Sequence, residues 1–200
     1  MIKAIIFDLG GVCFEVDWLK INDEMIKKFN INTLVKSAGN ERVAQYYKDS
    51  LEGRGHIKNM FKELNKDNYD LEEIVKFYKK IYKKHKKHNK KIYALIKRLK
   101  EKFIVVCLTD TNSIHLEAHR EQGTIKDFHK VFASFQIGYT KKDINSFKRI
   151  IKKLKLKPEE ILFIDDNDKN IKTAKILGIK TIRYKNYGAL VKELKILKLL

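Results

Sequence analysis

The sequence predicts an α/β fold: a doubly wound parallel sheet interrupted early by a helical insertion. Three observations predict it. Short continuous apolar runs end in polar turns at residues 2–7, 103–108, 130–134, 161–164 and 181–184. Helical patterns separate the later runs, and strands that alternate with helices imply a parallel sheet covered on both faces. Residues 8–102, between the first two runs, hold no good strand and much helical spacing.

Taken in order, "AIIF" reads as a buried strand that runs straight into Asp8 and the pair Gly10–Gly11. Residues 17–85 read as helical throughout: "DWLKINDEMIKKF", "NERVAQYYKDSL", "IKNMFKELN" and "DLEEIVKFYKKIYKKH", punctuated at Gly53 and Gly55. Residues 76–102 carry 13 Lys/Arg and one Glu. Phe77, Ile81, Ile92, Leu95, Ile96 and Leu99 keep helical spacing there, so the stretch reads as one or two amphipathic helices with a basic outer face. "FIVVCL" and "ILFI" are apolar without alternation, as strands buried on both faces are. Ile144, Phe147, Ile150, Ile151 and Leu154 form one helical stripe; Ile171, Ala174 and Leu177 form another, which Gly178 stops. The expected division is a core of residues 1–15 and 90–200 and a helical cap of residues 16–89 over the sheet's carboxyl edge.

Composition narrows the class. With 44 Lys+Arg against 25 Asp+Glu the net charge is +19. A nucleic-acid partner is one reading of that charge. The lysines are spread over most of the chain, which favours solvated surface instead. Cys13 and Cys107 lie in or beside apolar runs and read as core residues in a reducing compartment. No signal-peptide pattern and no run of about 18 apolar residues is present. The expected setting is cytoplasmic, with no membrane partner.

In an open parallel sheet the ligand site lies outside the carboxyl ends of the strands. Asp8 follows the first strand, Thr109 and Asp110 the second, and Asp165–Asp166 the "ILFI" strand; Lys141 follows the third strand by a loop. Converging carboxylates repel unless a cation sits among them, and an oxygen-only set with open positions suits Mg²⁺. Lys141 and Thr109 suit a phosphate, as do backbone N–H groups beside Gly10 and Gly11.

These residues carry a resemblance. "FDLGGV", "LTDTN", the lysine of "GYTKKD" and "FIDDNDKN", in that order and with a helical insertion after the first, resemble the four motifs of the haloacid dehalogenase-like (HAD) hydrolase superfamily. The proline that often follows the third-motif lysine is Lys142 here. Most members are phosphatases, so the resemblance implies Mg²⁺-dependent hydrolysis of a small phosphorylated metabolite, such as a sugar phosphate, through an aspartyl-phosphate. It implies Asp8 as nucleophile and Lys141 as its charge partner. Leu9, Gly10, Thr109, Asp110 and Lys141 would surround the phosphate. Asp8, the Gly10 carbonyl and Asp166 would hold the metal, with Asp165 and Asn170 behind them.

One position departs from the pattern. Most phosphatases of the superfamily carry a second Asp two residues after the nucleophile, where it protonates the leaving oxygen; here that residue is Gly10. Either the leaving group needs little protonation, or a water or cap residue supplies the proton, or activity is lost. The last case gives the alternative reading, a nearly inactive binding protein that uses its basic surface for nucleic acid or protein. Haloacid dehalogenases also lack that Asp, but they usually lose the acidic pair that Asp165–Asp166 preserves, so that activity ranks lower. Asp110 stands where Asn or Gly is common, and must point its carboxylate away from a phosphate. His85 and His88 read as solvated surface, and Trp18, Tyr46 and Tyr47 as packing within the cap rather than substrate mouth.

Overall fold

The computed structural model describes residues 1–34 and 40–200. The chain opens with β1 (Ala4–Phe7), buried throughout. A tight turn leads to β2 (Phe14–Val16) and then to four helices, α1 (Trp18–Phe29), α2 (Glu41–Glu52), α3 (Lys58–Leu64) and α4 (Leu71–Lys84). β3 (Lys86–His88) brings the chain back by pairing antiparallel with β2. Alternation follows: α5 (Lys90–Leu99), β4 (Ile104–Thr109), α6 (Ser113–Glu121), β5 (Lys130–Ala133), α7 (Ser134–Ile137), α8 (Ile144–Leu154), β6 (Ile161–Asp165), α9 (Asp168–Ile176), β7 (Lys180–Arg183) and α10 (Tyr187–Ile196).

The main sheet is parallel, in the order β5-β4-β1-β6-β7. β1 sits at its centre, between strands that leave to opposite sides, which is the switch point where such sheets bind ligands. The period of two sorts its side chains. Ile5 and Phe7 face one way, with Val105, Cys107, Leu162 and Ile164, and pack on Ile92, Leu95 and Ile96 of α5 and Leu190 and Leu194 of α10. Ala4 and Ile6 face the other way, with Val106, Leu108 and Phe163, and pack on Phe147 and Ile150 of α8 and Ile171 and Ala174 of α9. Each fully buried large side chain contributes about 1.5–3 kcal/mol, so both faces are firmly sealed. Asn and Asp set the helix starts: Asp17, Asn89, Asn112 and Asn167 each accept a hydrogen bond from a first-turn backbone N–H.

A third apolar cluster lies in the insertion. Ile21, Met25 and Phe29 of α1 meet Phe61 of α3 and Ile74, Tyr78 and Ile81 of α4. Ile114 and Ala118 of α6 belong to the same cluster, so the inserted helices rest on a core helix. Lys79 reaches Glu117 and Glu121 of α6 at 3.0 and 2.8 Å, and Lys83 also pairs with Glu121.

Three expectations need correction. Four helices make up most of the described part of residues 17–85, but strands flank them, and the two amphipathic helices of the basic stretch 76–102 are separated by the strand Lys86–His88. Its basic face is also partly used up: Lys84 pairs with Glu24 at 2.7 Å, and Lys86 is buried. His85 and His88 are half-buried and partnered rather than freely solvated. His85 Nε2 lies 2.5 Å from Glu24 Oε1, and His88 packs edge-on against Phe14. Cys13 and Cys107 are buried and unpaired, as read. Among the described residues no helix is long and apolar enough to cross a membrane.

Candidate active site

Parallel pairing levels the carboxyl ends of β1, β4 and β6, because Phe7 lies opposite both Cys107 and Ile164. That register gathers Asp8, Thr109 and Asp165 at one edge. Asp8 is 5% exposed and Asp165 fully buried. Lys141, 3% exposed, inserts its ammonium between them, 2.6 Å from Asp8 Oδ1 and 2.8 Å from Asp165 Oδ2. Asp165 is further held by the Asn167 N–H at 2.7 Å and the Asn170 side-chain amide at 3.1 and 3.2 Å. Asp110 commits one oxygen to a loop: its Oδ1 accepts from the Lys141 backbone N–H at 2.8 Å. This carboxylate therefore fixes the loop that carries the lysine. Thr111 and Ser134 tie the neighbouring loop through two hydrogen bonds of 3.0 and 3.1 Å.

The electrostatics call for a further cation. Carboxylate oxygens of Asp8, Asp165 and Asp166 lie within 4.8 Å of one another, against a single ammonium. Burial raises the Asp8 carboxyl well above the usual carboxylate range; Lys141 opposes that and Asp165 adds to it. Asp166 is also raised, by burial and then by Asp165. Lys141 is raised, because its carboxylate neighbours outweigh the burial that would lower it. An excess of clustered negative charge, all on hard oxygen atoms, fits a divalent cation.

The two glycines differ. Gly11 has φ +75°, and a Cβ there would collide with the Asp166 carboxylate. Gly10 has no positive φ, and its Cβ would meet nothing within 4 Å. The missing side chain at 10 is thus a chemical difference rather than a steric demand. Gly10→Ala should melt within a few degrees of the wild type, since surface-like changes stay within about 0.5 kcal/mol. Gly11→Ala should lose at least about 1 kcal/mol of stability and weaken divalent-cation binding, through left-handed strain and displacement of Asp166. Thermal melts of both variants, with and without Mg²⁺, check this; equal tolerance at the two positions would contradict it.

A cavity of about 300 Å³ opens over the carboxylates. Asp8, Gly10, Thr109, Asp110, Lys141, Asp166 and Asn170 line it from the sheet edge. Leu9 does not line it, and its N–H donates to Asp8 Oδ1 at 2.6 Å rather than into the cavity. Trp18 and Tyr47 do line it, which corrects their reading as packing alone; Tyr46 packs with the inserted helices as expected.

Three further lining residues carry no motif in the sequence: Tyr82 on α4 and His115 and His119 on α6. Tyr82 stacks on His115 with ring centroids 4.0 Å apart and planes 13° off parallel. The Tyr78 hydroxyl lies 2.9 Å from His115 Nε2, and the Tyr82 hydroxyl 3.2 Å from His119 Nε2. Burial, with Lys86 adding, pushes His115 down to about 3 and His119 down to about 2, so both imidazoles are neutral. The available signal was the spacing of four between the histidines, one helical turn apart on the face that also carries Ile114 and Ala118.

A switch-point cluster of carboxylates bridged by a buried lysine, beneath a helical insertion, is a site suited to a divalent cation and an anionic ligand. The chain belongs to the haloacid dehalogenase-like hydrolases: the model of that family matches residues 2–178. It is similar to a D-ribitol-5-phosphate phosphatase of Bacteroides thetaiotaomicron, 27% identical over 98% of each chain. It also resembles an enolase-phosphatase E1 of Aquifex aeolicus, 36% identical over 46% of this chain and 42% of that one, so the match spans less than half the length of that relative. Among solved structures, a HAD family enzyme of Bacteroides thetaiotaomicron in complex with magnesium and inorganic phosphate shares the fold, with TM-score 0.78 and 22% identity over 95% of this chain and 99% of that one.

Proposed function

We propose that this hydrolase is a Mg²⁺-dependent phosphatase of a small phosphorylated metabolite, with Asp8 as its nucleophile and residues 16–89 as a cap that selects the substrate. The observation that carries the reading is the Lys141 ammonium held between Asp8 and Asp165, with Asp166 close by and free of that lysine. A lysine in that place favours the ionised form of Asp8 against its burial and meets the charge of an incoming phosphate. The magnesium- and phosphate-bound neighbour and the ribitol-phosphate phosphatase support the same chemistry, and a polyol or sugar phosphate is the class of substrate they favour.

Asp8 would attack phosphorus and release an alcohol, and water would then hydrolyse the aspartyl-phosphate. Asp8, the Gly10 carbonyl and Asp166 would hold the cation, which offsets the repulsion between carboxylate and phosphate. Asp165, buried and bonded to Asn167 and Asn170, acts as the fixed partner of Lys141. Asp110 positions that lysine through its backbone, and the Thr109 hydroxyl is left to donate to a phosphate oxygen.

The test is turnover of p-nitrophenyl phosphate with Mg²⁺ and after chelation. Its leaving group departs without a proton, so Gly10 does not mask activity. Turnover that chelation abolishes and Mg²⁺ restores is the expected result. No turnover in either condition would favour the binding-protein reading, which rests on Gly10 and the +19 charge.

A further inference from the structure

Lys86 is a cation buried without a carboxylate. It is 8% exposed, and among the described residues its ammonium meets only aromatic groups. It lies 3.1 Å from His119 Nδ1, 5.0 Å from the Phe14 ring centre and 4.7 Å from that of Tyr82. Burial of an unpaired charge is costly, so a role for this one is worth seeking.

An ammonium only donates, so His119 Nδ1 accepts, and the neutral ring then carries its hydrogen on Nε2. That N–H donates to the Tyr82 hydroxyl oxygen, 3.2 Å away. The Thr124 hydroxyl, 3.1 Å from the same Nδ1, donates instead to the His119 carbonyl oxygen at 2.9 Å and leaves the arrangement intact. The hydroxyl hydrogen of Tyr82 is therefore left over, on a residue that lines the same cavity as Asp8 and Lys141.

We propose that Tyr82, with His119 and Lys86 behind it, is the acid–base group of this site and replaces the side chain that Gly10 lacks. The inference rests on the phosphatase reading above. As Asp8 bonds to phosphorus, the bond from phosphorus to the leaving oxygen breaks, and that oxygen takes the Tyr82 hydroxyl proton. Tyr82 takes the proton from His119 Nε2, and His119 Nδ1 takes one from the Lys86 ammonium. Lys86 ends as a neutral amine and His119 as its other tautomer, without an imidazolium. When water attacks the aspartyl-phosphate, its proton returns along the same path in reverse, and all three groups are restored. Burial, and then the Lys83 charge, hold Lys86 down to about 8, so its ammonium and amine are close in free energy near neutral pH. A phenol can protonate an alkoxide but has no role with p-nitrophenolate, which is the weaker base by far.

The experiment compares kcat/KM for an alkyl phosphate and for p-nitrophenyl phosphate, because kcat/KM reports the step that expels the leaving group. Tyr82→Phe should lose about 100-fold on the alkyl phosphate and much less on p-nitrophenyl phosphate. Adding Gly10→Asp to that variant should recover most of the alkyl rate, whereas Gly10→Asp in the wild type should gain little. Lys86→Met should show the same selective loss on the alkyl phosphate while melting no lower than the wild type, since it removes an unpaired buried charge. Equal losses on both substrates, or no recovery with Gly10→Asp in a folded protein, would overturn the proposal and leave the phosphatase reading standing. A wild type inert toward p-nitrophenyl phosphate with Mg²⁺ would overturn both.

Discussion

Asp8→Asn should abolish hydrolysis, by about 10⁴-fold or more as expected when a nucleophile is removed, in a protein that stays folded. The amide keeps the shape of the carboxylate and can still accept from the Leu9 N–H, which Asp8 Oδ1 holds at 2.6 Å. It cannot form the covalent intermediate. The change also removes a charge from a cluster that already holds more carboxylates than ammonium groups. The metal-free variant should therefore melt at or above the wild-type temperature. Residual turnover in a clean preparation, beyond that low floor, would move the nucleophile elsewhere, and Asp166 would be the first place to look.

Lys141→Met carries the largest stability effect. It fills the same volume but leaves Asp8 and Asp165 buried without the ammonium that lies 2.6 and 2.8 Å from them. Breaking a buried pair from one side costs about 3–5 kcal/mol, or roughly 10 °C in melting temperature for a domain of this size. Activity should fall steeply too, because Asp8 then holds its proton still more tightly and the phosphate loses its ammonium partner. The sign follows from Lys141 being the group that opposes burial at Asp8. Mg²⁺ should restore part of the stability by supplying positive charge at the same edge. The double variant Lys141→Met/Asp8→Asn should be more stable than Lys141→Met alone. Additive effects in that cycle would mean the two side chains are not coupled, contrary to the geometry.

The main sheet and the strand-end residues were legible because two simple rules locate them. Continuous apolar runs mark strands covered on both faces, and the residue after each such strand stands at the binding edge. The predicted runs differ from the observed strands by no more than two residues at either end, as 103–108 against Ile104–Thr109 illustrates. β2 and β3 were not legible. Each has three residues, and "KKH" carries no strand signal of its own. It is extended because "FEV" pairs with it across the insertion. The aromatic wall was hidden for the same kind of reason. Tyr82 and His119 are 37 residues apart and meet only when α4 packs on α6. The role of Asp110 was half legible: a carboxylate there had to point away, but its partner, the Lys141 N–H, depended on how a loop 31 residues further on folds back.

The β2–β3 ribbon has a consequence for how much this scaffold can change. The insertion leaves the core at Asp17 and returns at His85, and the two residues are joined by a backbone hydrogen bond of 3.1 Å. The core therefore sees the whole insertion as a loop whose ends already touch. Closing such a loop costs only about 0.6 kcal/mol more for each doubling of its length. A larger or smaller helical lid on the same two strands should cost little in chain closure, provided it keeps an apolar face for α6. The carboxylates and Lys141 belong to the sheet edge, whereas Trp18, Tyr47 and Tyr82 belong to the lid. On the proposals above, the nucleophile and its lysine stay with the sheet, while the acid–base group Tyr82 travels with the lid, so a change of lid must keep that one side chain.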